Sequence, residues 1–138
     1  MPLGEIEIDR TDQFLPLSKV KERLSKDTIK SNFLSFVKYV WPEFIEGSHH
    51  KKINDAFNRL SRGEIKRLII NMPPRHTKSE FASYLLPAWM IGKNPQLKII
   101  QATHTADLAV DFGRKTKNLV DQPNYKELFD TRLMEDSQ

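Results

Sequence analysis

The sequence predicts an α/β fold in which amino-terminal helices precede parallel strands joined by a crossover helix. Two observations predict it. Short runs rich in β-branched residues occur at residues 67–72 and 98–102, and apolar residues recur at helical spacing before, between and after these runs. With 138 residues, the chain has room for one domain of ordinary size. We therefore expect a single hydrophobic core.

Composition excludes several classes of protein. Cysteine is absent, so disulfides, zinc–thiolate sites and cysteine nucleophiles are excluded. Hydrophobic residues make up 38% of the chain and charged residues 29%, which is typical of a globular protein. No apolar run is long enough to span a membrane, and the acidic amino terminus is unlike a signal peptide, so we expect a cytoplasmic protein without a membrane partner. The net charge of +4 permits an acidic partner such as DNA or a nucleotide, without requiring one.

Helical patterns fill the first half of the chain. Residues 1–26 show no sustained periodicity and are expected to form a poorly defined leader. From Asp27, which can cap a helix, apolar residues follow helical spacing as far as Pro42. A second amphipathic helix is predicted from Ser48, with Gly63 as its left-handed stop.

A βαβ pattern fills the second half. The run Arg67–Met72 is predicted to be a buried strand, and the helix after it, from about Ser79, is expected to be interrupted at Pro87 and to end before Gly92. The run Lys98–Ala102 is predicted to be the second strand. Thr105 then caps a helix whose apolar face contains Leu108, Ala109, Phe112, Thr116 and Leu119.

The segment Met72–Ser79 lies where a phosphate-binding loop belongs, between the first predicted strand and its helix. Compared with the pattern GxxxxGK[S/T], it keeps Lys78 and Ser79 but has Met72 and Thr77 at the glycine positions. The match is degenerate. Successive backbone N–H groups at a helix start can still form an anion site, because the helix dipole adds favourable partial charge.

Each side chain of this loop has an expected role. Lys78 would place its charge between the terminal phosphates, Ser79 would ligate magnesium, and Arg75 would add a forked contact to the last phosphate. Thr77 would crowd the loop where glycine allows close approach. The alternative is an ordinary helix start with a solvated lysine. The predicted nucleotide-binding residues are Pro74, Arg75, His76, Thr77, Lys78 and Ser79, with Arg75 and Lys78 as the catalytic pair.

Several other residues have a functional and a structural interpretation, and the structural one is favoured for each. His49 and His50 suggest a metal or phosphate site, but a solvated helix start explains them better, since adjacent helical positions point in different directions. Asp107 and Asp111 resemble paired acids and are better explained as a solvated helix face. His104 and Thr105 could face a ligand, although capping alone explains Thr105.

Basic and aromatic residues are weighed in the same way. The basic side chains could contact a DNA backbone, but for each one singly an exposed face is favoured; they are Arg59, Arg62, Lys66, Arg67, Arg114, Lys115 and Lys117. Trp41, Trp89 and Phe112 lie on apolar stripes and are predicted to be core residues, not base-stacking platforms.

The run from Arg67 to Asp121 resembles the ATPase region of tailed-phage terminase large subunits. Members of that family have an apolar strand, an Asn-Met-Pro-Pro-Arg-His-Gly-Lys-[Ser/Thr] loop, and a later strand followed by a helix with Asp-Phe-Gly-Arg. Here residues 71–76, Lys78 and Ser79 match the loop, and residues 111–114 match the later motif. The resemblance extends from about Phe33 to the last residue, and Thr77 departs from the family's glycine.

The resemblance implies part of a P-loop, RecA-like ATPase that uses ATP and Mg²⁺ to pump double-stranded DNA into a procapsid. It also implies a portal and a small terminase subunit as partners, and a location in the host cytoplasm and transiently on the portal. An acidic Walker B strand and a nuclease domain are not found in the sequence, so we expect residues 27–138 to be incomplete at their carboxyl end. A second polypeptide is one way to complete them.

Two alternatives remain open. One is that the chain is part of another P-loop DNA motor, such as a helicase. The other is a non-catalytic DNA-binding or assembly protein that keeps the loop as a relic. Enzyme activity is therefore implied by the resemblance alone.

Overall fold

The computed structural model describes residues 17–134, and all ordered elements within that range are helical. A π-helical turn, Phe81–Leu85, joins α4 to α5 without a break. The helices are α1 (Leu17–Ser31), α2 (Phe33–Val40), α3 (Ser48–Ser61), α4 (Lys78–Glu80), α5 (Leu86–Lys93), α6 (Ala106–Val120) and α7 (Pro123–Leu128). Residues 1–16, the greater part of the predicted leader, lie outside the described range.

The predicted α/β fold with parallel strands is wrong for the described part of the chain, because residues 17–134 contain no β-strand. The two predicted strands, Arg67–Met72 and Lys98–Ala102, connect helices without regular secondary structure. A strand exists only when its N–H and C=O groups pair with a second strand, and that pairing is not determined by local sequence. The RecA-like sheet is therefore not formed by these residues.

The first of these segments still keeps the side-chain alternation of an extended chain. Leu68, Ile70 and Met72 pack against the core, whereas the Ile69 side chain between them is 85% exposed. Successive side chains of an extended backbone point to opposite sides, which explains the pattern. In the second segment, Ile100 is 97% exposed. The apolar residues that predicted buried strands are thus only partly buried.

The predicted helix from Asp27 to Pro42 is two helices with a break at Asn32. Helical structure begins earlier than predicted, at Leu17, and α1 ends at Ser31. Asn32 has extended backbone angles, and its side-chain oxygen accepts a hydrogen bond from the N–H of Ser35 over 3.1 Å. Asn32 therefore caps α2, which places the strongly apolar face of that helix in the core.

The core is built around the ring of Phe33, the first residue of α2. Its centroid lies 4.9 Å from that of Phe57, 5.3 Å from that of Phe81 and 5.5 Å from that of Trp89, all with edge-on geometry. Such aromatic pairs stabilise a core beyond the area they bury. The α2 helix thereby contacts α3, the π-helical turn and α5 through one ring. Other residues of the core include Phe36, Val37, Leu85, Ala88, Tyr125, Leu128 and Phe129.

The predicted interruption at Pro87 takes the form of the π-helical turn that precedes it. Proline has no N–H to donate to the carbonyl oxygen four residues earlier, which belongs to Ser83. The side-chain amide of Gln101 donates a hydrogen bond to that oxygen over 3.0 Å. Gln101 therefore attaches the segment after α5 to the helix and satisfies a carbonyl group that Pro87 cannot.

The last long helix, α6, begins as predicted, but Leu108 of its predicted apolar face is 41% exposed. The Thr105 hydroxyl oxygen accepts a hydrogen bond from the N–H of Leu108 over 3.3 Å, so the capping interpretation is confirmed. Its buried residues are Phe112, Leu119 and Val120. Among residues 17–134, no helix is long and apolar enough to cross a membrane.

Candidate functional site

The predicted phosphate-binding loop contains two residues with left-handed backbone angles. Arg75 has a φ of 66° and Thr77 a φ of 60°, and among the described non-glycine residues only these two have positive φ. A left-handed residue next to a right-handed one turns successive N–H groups toward the same side of the chain, which is the geometry of an anion nest. Positive φ at positions 75 and 77 is compatible with such a nest, although residues 17–134 contain no strand to precede the loop.

Backbone N–H groups are available where this loop meets α4. The first hydrogen bond of the helix runs from the N–H of Phe81 to the carbonyl oxygen of Thr77, over 2.9 Å. The N–H groups of Lys78, Ser79 and Glu80 therefore have no acceptor within the helix. Helical structure continues without a break to Lys93, so the dipole of more than one turn adds to their partial positive charge.

The side chains that the sequence assigned to phosphate and magnesium are also available. Those of Arg75, Lys78 and Ser79 form no hydrogen bond or ion pair with the described part of the chain. Arg75 and Ser79 are exposed, and Lys78 is half-buried. Their groups are a forked guanidinium, an ammonium and a hydroxyl, which suit phosphate oxygens and a phosphate-bound magnesium ion.

The remaining loop residues have structural contacts. Pro74 and His76 are exposed, and Nδ1 of His76 donates a hydrogen bond to the carbonyl oxygen of Pro74 over 2.9 Å. This bond joins two residues of the same turn. The Thr77 hydroxyl donates to the carbonyl oxygen of His76 over 2.6 Å, so the threonine side chain is turned back onto the loop. Both contacts help hold a backbone that left-handed angles make costly, by roughly 1–2 kcal/mol for each such residue.

His50, which the sequence favoured as part of a solvated helix start, is buried, so that interpretation is wrong for this residue. Its side chain is 4% exposed and lies between two aromatic rings, with centroids 4.7 Å from Phe44 and 5.1 Å from Phe81. Its Nε2 lies 2.8 Å from the hydroxyl oxygen of Thr77. Burial is the main cause that lowers the pKa of His50, with smaller contributions from His49 and His76.

A groove runs beside the loop between α3 and the extended segment before it. Its volume is about 310 Å³, and its walls are mostly apolar, with Ile53 on one side and Met72 on the other. His49 also lines it, and Nε2 of His49 is buried without a hydrogen-bond partner among the described residues. Met72, the first residue of the predicted loop, is one of the residues that line the groove.

Metal binding by protein side chains alone finds no support in this part of the molecule. Residues 17–134 contain no group of three or more His, Cys, Asp or Glu side chains placed to hold a metal ion. The predicted magnesium site does not need one, because a phosphate-bound magnesium ion takes few protein ligands and keeps several waters. Ser79 would supply its one hydroxyl from the start of α4.

The other candidates that the sequence raised are structural. Trp89 and Phe112 are buried, so their prediction as core residues is confirmed. Asp111 forms an ion pair of 3.0 Å with Lys115 on the surface of α6, as expected for a solvated face. The basic residues proposed as DNA contacts are all exposed; among them, Arg59 and Arg62 pair with Glu64, while Lys66, Arg67, Arg114 and Lys117 are in no ion pair with the described residues.

Comparison with known proteins adds no relative: no protein-family model, no curated protein and no solved structure matches this chain.

Sequence reasoning missed His50 as a contact of the loop residue Thr77. One signal pointed to it, since position 50 falls three residues after Gly47 and three before Ile53, on the apolar side of α3. A histidine at such a position is directed toward the core, where it needs hydrogen-bond partners. Its neighbour His49 lies one helical position away and lines the groove instead.

Proposed function

We propose that the loop Met72–Ser79 binds the phosphate groups of ATP with Mg²⁺, and that the chain is the ATP-binding part of a DNA-packaging terminase large subunit. One observation carries the first half: Arg75 and Thr77 have left-handed backbone angles directly before a helix whose first N–H groups lack acceptors. The second half rests on the resemblance of residues 67–121 to that family.

In this proposal each side chain has one task. The ammonium of Lys78 neutralises charge between the terminal phosphates, and the guanidinium of Arg75 holds the last phosphate with two parallel hydrogen bonds. The hydroxyl of Ser79 takes one position on the magnesium ion. When bound, magnesium neutralises charge on the phosphate oxygens. Hydrolysis also needs a group that orients water, and the proposal assigns no described residue to that task.

The packaging role adds double-stranded DNA, the portal and the small terminase subunit as proposed partners. Exposed basic residues support the contact with DNA, because the phosphate backbone is recognised mainly by charge neutralisation. Of the basic residues that the sequence raised as DNA contacts, those without an ion-pair partner in the described range lie after α3 (Lys66, Arg67) and on α6 (Arg114, Lys117). Binding through these residues is expected to weaken steeply as salt concentration rises.

The test is a titration of the full chain with labelled ATP, with and without Mg²⁺. Lys78→Ala removes the ammonium, and Lys98→Ala is the matched control, because Lys98 is exposed and lies outside the loop. A charge-assisted hydrogen bond contributes about 1.5–3 kcal/mol, so Lys78→Ala is expected to weaken binding about tenfold to a hundredfold. Lys98→Ala is expected to bind as the wild type does.

The alternatives give different results in the same titration. If neither the wild type nor Lys78→Ala binds ATP, the loop is a relic and the non-catalytic DNA-binding or assembly protein is favoured. If ATP binds and Lys78 matters, a helicase-like motor remains the competing class. Linear duplex DNA that stimulates ATP turnover only in the presence of procapsids supports packaging, whereas unwinding of duplex DNA supports the helicase.

A further inference from the structure

The hydrogen-bond roles of the His50 ring follow from its partners. The N–H of Gly47 donates to Nδ1 of His50 over 2.7 Å, so Nδ1 carries a lone pair and the neutral ring has its proton on Nε2. Nε2–H then donates to the hydroxyl oxygen of Thr77 over 2.8 Å. Thr77 in turn donates to the carbonyl oxygen of His76 over 2.6 Å. The three bonds form one chain with a single direction, from the start of α3 into the loop.

This chain of hydrogen bonds passes through Thr77, one of the two described non-glycine residues with positive φ. Thr77 is β-branched and has a φ of 60°, a conformation that such residues rarely adopt. It also caps α4, so its backbone orients the N–H groups that begin the helix. A ring fixed between Phe44 and Phe81 is a rigid anchor for the Thr77 side chain, since aromatic packing leaves it little freedom.

We infer that His50 is a positioning residue of the phosphate-binding loop: its Nε2–H holds Thr77 in the left-handed conformation that directs the N–H groups of Lys78 and Ser79 toward a bound phosphate. This inference rests on the proposed function. In this inference the Thr77 side chain accepts a hydrogen bond from His50, and a glycine at position 77 would have no side chain to accept it. Thr77, which stands where the family has glycine, therefore has a buried hydrogen-bond partner on α3.

The ring keeps this position only while it is neutral, because protonation retains the Nε2–H donor but disrupts the contact of Nδ1 with Gly47. A protonated ring would carry N–H groups on both nitrogens, and Nδ1–H would face the N–H of Gly47. Three titratable groups act on the ring: His49 and His76 disfavour its charged form, and Glu46 favours it. Glu46 is itself paired with Lys38 and influenced by Lys51. Together with burial, this environment keeps the ring neutral near pH 7.

Two substitutions at position 50 distinguish the contact of Nε2 with Thr77 from the contact of Nδ1 with Gly47. The amide nitrogen of His50→Gln can reach the place of Nε2 and donate to Thr77, whereas the amide oxygen of His50→Asn can replace only Nδ1 and accept from Gly47. Titration with ATP and Mg²⁺ at pH 7.5 is expected to show binding about tenfold weaker for His50→Asn and within about twofold of wild type for His50→Gln. Circular dichroism and thermal unfolding check that both variants fold.

The pH profile supplies a readout that a merely structural role would not give. Protonation of ATP affects the binding of both proteins equally, so it cancels in the ratio of wild-type to His50→Gln affinity. That ratio is expected to fall as the pH is lowered from 7.5 to 5.5. Thr77→Val, which keeps the branched shape without the hydroxyl, is expected to weaken binding as His50→Asn does. The double variant should lose no more than either single one, because both remove the same contact.

Two results overturn the inference while leaving ATP binding intact: equal affinities for His50→Asn and His50→Gln, or an Nδ1–H tautomer of His50 in long-range ¹H–¹⁵N spectra of the nucleotide-free protein. Failure of the proposed function looks different. In that case wild type and Lys78→Ala both fail to bind ATP, and the positioning role falls with the site although the spectra still report the Nε2–H tautomer.

Discussion

Gly92 in α5 faces the ring of Phe129 so closely that a Cβ atom at position 92 would lie 2.6 Å from the ring carbon Cδ2. Phe129 directly follows α7 and is 4% exposed, so its ring has little room to move. The glycine therefore lets the chain after α7 pack against α5. The sequence had placed Gly92 beyond the end of the helix, whereas it lies inside α5.

The first prediction follows from this contact. Gly92→Ala is expected to lower the free energy of unfolding by up to about 2 kcal/mol, because an overpacking cost of about 1–3 kcal/mol outweighs the gain of about 1 kcal/mol in helix propensity. Gly113→Ala in α6 is the matched control, since a Cβ there meets nothing within 4 Å, and it is expected to stabilise the protein. Urea unfolding measures both. Equal effects of the two substitutions would contradict the close contact.

The second prediction concerns the left-handed backbone of Thr77. Thr77→Gly and Thr77→Ala both remove the hydroxyl, but only glycine adopts a φ of 60° without steric cost. Thr77→Ala is therefore expected to be less stable than Thr77→Gly by about 1 kcal/mol. Chemical denaturation at pH 7.5 checks the difference, and an alanine variant as stable as the glycine variant would argue against the left-handed conformation.

The third prediction compares two tyrosine hydroxyl groups. Tyr125 is fully buried, and its hydroxyl donates to the carbonyl oxygen of Ala88 over 2.7 Å. Burial accordingly raises the pKa of Tyr125 well above its usual value. Tyr125→Phe is expected to destabilise the fold by about 1 kcal/mol. Tyr39→Phe removes a hydroxyl bonded to Asn124 in a half-buried place, where water can replace it, so a smaller loss is expected. Thermal unfolding ranks the two variants.

The fourth prediction is a dependence of stability on pH. The pKa of His50 is lowered from 6.5 in the folded protein, so below pH 6.5 the unfolded chain binds more protons at this residue than the folded chain does. The stability that depends on the neutral ring is complete above pH 6.5 and is lost as the pH falls through the lowered value. Carboxylates with lowered pKa, such as Glu46 and Glu64, stay ionised down to pH 5.5 and do not contribute in this window.

His50→Gln cannot titrate and serves as the reference for that measurement. The free energy of unfolding of the wild type is expected to fall more than that of His50→Gln between pH 7.5 and 5.5, by up to about 1.4 kcal/mol for each unit by which the pKa is lowered. Parallel pH dependence in the two proteins would show that the ring titrates in the folded state as it does in solution.

Much of the local structure was predictable from the sequence, and the reason is visible in particular residues. Ser48 begins α3, Thr105 caps α6, and Gly63 has a φ of 75° after α3, as predicted. Each of these features depends on contacts between residues a few positions apart. The turn before Lys78 also follows from local chemistry, because Pro73 and Pro74 end the extended segment and a helix begins immediately after the turn.

The sequence by itself determined where α3 and α6 begin, where the chain is extended, and which residues form the candidate loop. Only the tertiary structure decided whether the extended segments pair and what surrounds the loop. Ile69 and Ile100 remain exposed, with no strand beside them among residues 17–134, and His50 contacts Thr77 from a helix that is distant in sequence. Helix capping and backbone direction arise within a few residues, whereas strand pairing and burial require segments far apart in the chain to meet.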